Sequence, residues 1–112
     1  ASDSHIISFE ASSNPNSGVY IEDGGCNYVL TKCGNVNSQR NQIVGGKITN
    51  NGFTGISLVY DGSQPRGSDF NKIIGNALTG NAVFDLDEEN PNCGHNLWVG
   101  NTFNTSSEAC VH

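Results

Sequence analysis

Asn71-Lys72-Ile73-Ile74-Gly75-Asn76-Ala77-Leu78-Thr79 recurs as Asn41-Gln42-Ile43-Val44-Gly45-Gly46-Lys47-Ile48-Thr49 and as Asn96-Leu97-Trp98-Val99-Gly100-Asn101-Thr102-Phe103-Asn104. Ser4-His5-Ile6-Ile7-Ser8 falls in the same register as a worn first copy. A second short apolar run follows each copy: Gly18-Val19-Tyr20-Ile21, Gly55-Ile56-Ser57-Leu58, Val83-Phe84-Asp85-Leu86 and a last stub at Cys110-Val111. Ile6 to Val19, Ile43 to Ile56 and Trp98 to Val111 are each thirteen residues apart, and Ile73 to Phe84 is read as eleven. A two-strand unit with loops of variable length predicts a solenoid, in which each coil buries its apolar side only by stacking on the next.

Working outward from the repeat, strand alternation sends Ile43, Ile73 and Trp98 to one interior column. Val19, Ile56 and Phe84 form a second column, and Ile21, Leu58 and Leu86 a third. The Gly-Asn steps at Gly75-Asn76 and Gly100-Asn101 read as corners, because Asn tolerates left-handed angles and its amide reaches the neighbouring coil. Gly46 takes that corner one copy earlier.

Composition agrees with this reading. The 112 residues are 35% hydrophobic and only 14% charged, with 14 Gly and 16 Asn. Low charge together with regularly placed apolar residues describes a turn-rich folded chain rather than a disordered one. No segment has helical periodicity, so the expected class is all-β in one domain, residues 1–112. The net charge of −6 and five scattered Lys and Arg argue against nucleic acid or an anionic membrane as partner. No apolar run reaches the ~18 residues that span a bilayer.

Four cysteines in a small polar chain favour disulfides and an oxidising, extracellular compartment. The expected pairs are Cys26–Cys33, closing a local excursion, and Cys93–Cys110, clamping the last coil. Zinc needs closer spacing than the six residues between Cys26 and Cys33. Asn104-Thr105-Ser106 is an N-glycosylation sequon in a eukaryotic source.

The pattern Asn-x-Ile-Ile-Gly-Asn-x-Leu-Thr-Gly-Asn over residues 71–81, repeated as Asn-Leu-Trp-Val-Gly-Asn-Thr-Phe over 96–103, resembles the right-handed parallel β-helix repeat of the pectate-lyase-like proteins. The tail 90–103 followed by Cys110 looks like the C-terminal coils of secreted members. The resemblance implies a right-handed parallel β-helix of about four coils, and a polysaccharide lying along its sheet surface. The repeat starts at residue 4 with no cap before it. The expectation is therefore that upstream coils, or a second subunit in a homo-oligomer, cover that end.

Outward positions of the second strand read as one stripe, Tyr20, Ser57 and Asp85, with Glu22, Val59 and Asp87 beside them. Tyr20 is placed to stack on a pyranose ring. Asp85 and Asp87, two apart on a strand, are the candidate catalytic carboxylates for glycoside hydrolysis. The family's lyases resemble one another in using calcium-binding acids with an Arg or Lys base, and its epimerases look like Tyr/Asp/His clusters. Here Arg40 and Arg66 lie in loops, and His5, His95 and His112 lie near opposite ends. The expected function is therefore a module that binds or presents to polysaccharide without its own complete active site, the alternatives being a fragment of a polysaccharide lyase, hydrolase or epimerase, or a structural oligomerising solenoid. Acidic turns at Glu22-Asp23, Asp61 and Asp87-Glu88-Glu89 are the candidate calcium ligands, and no resident metal or cofactor is assigned.

Overall fold

Two or three β-branched or apolar residues between turn formers are long enough for a short strand and no more. In the computed structural model, which describes residues 4–22, 40–59 and 70–112, each coil is three such strands. The first coil holds β1 (His5–Ile7), β2 (Glu10–Ser12) and β3 (Val19–Glu22). The second holds β4 (Gln42–Val44), β5 (Lys47–Thr49) and β6 (Thr54–Val59), and the third β7 (Lys72–Ile74), β8 (Ala77–Thr79) and β9 (Phe84–Glu88). The last contributes β10 (Leu97–Val99) and isolated parallel bridges from Thr102 to Ala77 and from Ser106 to Leu86. Every pairing is parallel, giving sheets β1-β4-β7-β10, β2-β5-β8 and β3-β6-β9. The architecture is all-β, a parallel β-solenoid, with no α-helix among the described residues.

The repeat unit is thus three strands rather than two. The segment counted as one element of the two-strand unit, Asn41 to Thr49, divides at Gly45-Gly46, and its equivalents divide at Gly75-Asn76 and Gly100-Asn101, the corners expected from the sequence. The reason lies at the corner residue. Ser8, Gly45, Gly75 and Gly100 occupy one column with φ of 52°, 66°, 64° and 64°. A left-handed residue turns the chain out of the extended line, and glycine adopts that angle without the strain an L side chain meets.

The residue after each corner points inward, and asparagine fills most of these positions. Asn41, Asn71 and Asn96 make one ladder, Gly46, Asn76 and Asn101 a second, and Asn14, Asn51 and Asn81 a third. Within each, backbone and side-chain N–H groups donate to the side-chain oxygen of the coil below. Asn71 Oδ1 accepts from Asn41 N at 2.9 Å and Nδ2 at 3.0 Å, and Asn81 Oδ1 accepts from Asn51 N at 3.1 Å and Nδ2 at 2.9 Å. These amides satisfy backbone groups that the corners remove from the sheets.

Between the ladders the core is a stack of like side chains. Ile43, Ile73 and Trp98 are 1%, 0% and 2% exposed, and Ile48, Ile56, Leu58 and Leu86 are fully enclosed. Each buried aliphatic side chain is worth roughly 1.5–3 kcal/mol. Cys93 and Cys110 form a disulfide with Cα atoms 6.1 Å apart, tying down the tail so that Val111 covers the core's lower end. Such a bridge typically contributes about 2–4 kcal/mol. Val111 is buried but lies outside any strand, so the expected fourth second-strand stub is a cap instead. Cys26 and Cys33, with their expected bridge, lie outside the described residues.

The third coil corrects a register. Leu86, not Phe84, stacks under Ile56, and Glu88, not Leu86, stacks under Leu58. Ile73 to Leu86 is therefore thirteen residues, the same spacing as in the other coils. Phe84 pairs with Thr54 and is half-buried, and its apolar character drew the sequence reading two residues too early.

Candidate functional site

Where the chain turns from the second sheet into the third, the solenoid presents a groove of about 430 Å³ lined by Asn16, Ser17, Tyr20 and Phe53. The volume lies within the roughly 300–1,000 Å³ usual for small-molecule sites. Tyr20 projects outward from β3 and is 54% exposed, while Phe53, in the turn before β6, is 51% exposed. The walls are held by the stacking of coils. Phe53 N donates to Asn16 O at 3.3 Å, and the Ser17 and Thr54 hydroxyls share a hydrogen bond of 2.7 Å. Rings on two neighbouring coils thus flank a hydroxyl and an amide on a rigid backbone. That arrangement suits a ligand with an apolar face and hydroxyl edges.

The expected stripe is shared out differently. The outward column below Tyr20 is Ser57 and then Asp87. Ser57 is 1% exposed and its hydroxyl donates to Asp87 Oδ2 at 2.8 Å, so it supports the row rather than facing solvent. Asp87 is half-buried, and Glu22 and Val59 pair beside the row in the adjoining column.

Asp85 is not an outward residue. It is 1% exposed, at the column occupied by Gly18 and Gly55 in the coils above. Its Oδ1 accepts from Asn81 N at 3.3 Å and Nδ2 at 2.7 Å, and its Oδ2 accepts from Asn104 N at 2.9 Å. Asp85 therefore ends the third asparagine ladder, supplying the acceptor that another Asn would offer if the stack continued. Asp85 is enclosed and committed to these bonds, whereas Asp87 is half-buried and accepts from the Ser57 hydroxyl.

Glu88 ends the first ladder in the same way and was missed as a core residue. It is 1% exposed, in the interior column below Ile21 and Leu58. Oε1 accepts from Asn90 N at 2.9 Å and Nδ2 at 2.6 Å, and Oε2 accepts from Asn96 Nδ2 at 3.0 Å and Trp98 Nε1 at 2.9 Å. Burial pushes the Glu88 carboxyl above its ordinary value of 4.5, and the hydrogen bonds from Asn90, Trp98 and Asn96 oppose that rise. The second ladder ends on the main chain, where Asn101 Nδ2 donates to His112 O at 2.8 Å. All three ladders have the same polarity, so each leaves an amide donor at its lower end that needs an acceptor. A constant spacing of thirteen residues would have placed Glu88 inside.

Of the acidic turns considered for calcium, Asp23 and Asp61 lie outside the described residues, and Glu88 points into the core. Among the described residues no three His, Cys, Asp or Glu side chains come together as a metal-holding group. A smaller pocket of about 120 Å³ is lined by Arg40, Asn41, Gln42, Phe70 and Lys72, and the Phe70 ring stacks on His95 with centroids 4.6 Å apart. Asn104 is exposed, as a glycan acceptor must be. Among the described residues no helix is long and apolar enough to cross a membrane.

Phe53 was not singled out as a site residue because the exposed apolar position it shares with Val83 of the next coil lies in the turn between strands. Its one signal was its place in the turn preceding the strand that stacks under Tyr20. No family model, curated protein or solved structure matches this chain.

Proposed function

We propose that this chain is a secreted right-handed parallel β-helix module of the pectate-lyase-like kind, which holds a polysaccharide at the Tyr20–Phe53 groove. Right-handedness is supported by the near-universal hand of parallel crossover connections. The disulfide, together with the lack of a membrane-spanning helix among the described residues, fits an extracellular setting. The observation that carries the reading is the pair of half-exposed aromatic rings on adjacent coils, set beside an amide and a hydroxyl. Aromatic faces pack on the C–H faces of pyranose rings, and the amide and hydroxyl then meet the sugar hydroxyls. The carboxylates Asp85 and Glu88 are committed to ending ladders, which favours binding over glycoside hydrolysis.

A glycan array followed by calorimetry tests this. The expected result is binding that Tyr20→Ala and Phe53→Ala each weaken by about tenfold, corresponding to 1.4 kcal/mol. Binding that survives the double substitution would sink the assignment.

A second reading is favoured by the first coil. Ile6 is 40% exposed although its column mates Ile43 and Ile73 are enclosed, and Ile7 is 59% exposed. An assembly solenoid, with upstream coils or a second copy over β1–β3, would account for this. Light scattering on the samples used for calorimetry separates the two readings, since a stoichiometric oligomer with no glycan binding supports only the second.

A further inference from the structure

Resting on the groove assignment above, we infer that the ligand is a neutral glycan with equatorial hydroxyls, not a uronic acid polymer. The polar groups of the groove's lining are the Asn16 amide and the hydroxyls of Ser17 and Tyr20, and among the described residues no cation lines it. The described cations lie elsewhere. Lys47 lies opposite Glu10 in the strand register of the second sheet, and Arg40 and Lys72 line the separate pocket beside the first.

The Asp87 carboxylate lies in register with the groove, two coils below Tyr20 in the same outward column. At ~4.8 Å per coil this places it about 10 Å away. That is within the screening length at moderate ionic strength, about 8–10 Å. The chain as a whole carries a net charge of −6. A uronate at each sugar would enter this field with no counter-charge from the described residues of the groove lining, and Coulomb repulsion from one carboxylate at that range weakens binding by about twofold at low salt. A neutral chain of equatorial pyranoses keeps a flat C–H face for Tyr20 and Phe53 and meets no such penalty.

The test compares two ligands differing only in charge: cellohexaose and its counterpart in which every C6 hydroxymethyl is a carboxylate. Each is titrated calorimetrically into the intact protein at about 20 mM and about 150 mM salt. The expected result is that cellohexaose binds with a Kd indifferent to salt, while the carboxylated oligomer binds more weakly and gains affinity as salt is added. Asp87→Asn is expected to narrow the gap by strengthening only the carboxylated ligand. Tighter binding of the carboxylated oligomer at low salt overturns the inference while leaving the groove assignment standing. If neither ligand binds and the wider array is also empty, the groove assignment and this inference fall together.

Discussion

Replacing Asn76 with Asp changes almost nothing in shape and reverses one hydrogen-bonding sign at the centre of the second ladder. Asn76 is 1% exposed. Its Oδ1 accepts from Gly46 N at 2.8 Å, and Nδ2 donates to Ile43 O and to Asn101 Oδ1, both at 3.0 Å. In Asn76→Asp the first contact survives. The second oxygen then faces two acceptors and finds no donor itself: Ile43 O loses its side-chain donor, while Asn101 Oδ1 keeps only the Asn76 backbone N–H at 3.0 Å. Each buried polar group left without a partner costs about 1–3 kcal/mol, so the loss is about 3–5 kcal/mol. Against a total stability of about 5–15 kcal/mol this is a large fraction. For a chain of this length it corresponds to a fall in Tm of roughly 12–20 °C. The introduced carboxyl is buried among acceptors, so its folded pKa rises above the unfolded value near ~3.9. Its stability contribution is therefore highest at low pH and declines as pH climbs through the raised value. Urea unfolding followed by fluorescence measures this directly, because the single Trp, Trp98, is 2% exposed and bonded to Glu88. Asn76→Ala, which introduces no charge, should be destabilised without that pH dependence. A variant Asn76→Asp within about 0.5 kcal/mol of the parent would refute the view that amide donors hold the corners.

Two further outcomes test the same framework. Because burial raises the Glu88 carboxyl, the folded state holds its proton to higher pH than the unfolded state does. Glu88's contribution is thus fully present at acidic pH and is lost as pH rises through the raised value. Urea midpoints taken between about pH 4 and about pH 7 should show a component of this slope that vanishes in Glu88→Gln, and an unaltered slope would count against it. Gly55→Ala and Gly75→Ala should separate sharply in Tm. A Cβ on Gly55 would collide with Asp85 O, with Leu78 Cδ2 at 2.7 Å and with Asn81 Nδ2 at 2.9 Å, costing about 3 kcal/mol or more. At Gly75 a Cβ meets nothing within 4 Å, leaving only the left-handed angle to strain, about 1–2 kcal/mol. Equal effects would mean that the corner packing is misread.

What the chain determined by itself is the stacking. Asn41, Asn71 and Asn96 recur ahead of Ile43, Ile73 and Trp98, and only parallel coils in register place like over like. The Cys93–Cys110 clamp followed from the position of Cys110 past the last repeat. Interior and exterior in the third coil were obscured, because the apolar Phe84 drew the register off the constant spacing of thirteen that places Leu86 and Glu88 inside. A charged residue at a core position looks like a surface residue until its partners are in view. Glu88 lies inside where Asn90, Asn96 and Trp98 converge on it with donors to both carboxylate oxygens. Asp85 is likewise drawn in by the dangling amide of Asn81. The groove is a tertiary product too, because Tyr20 and Phe53 become neighbours only when two coils 37 residues apart in sequence close on each other, as the Ser17–Thr54 bond records. Local pattern encodes the period of burial, whereas hydrogen-bond satisfaction at the end of a stack is a property of the whole fold.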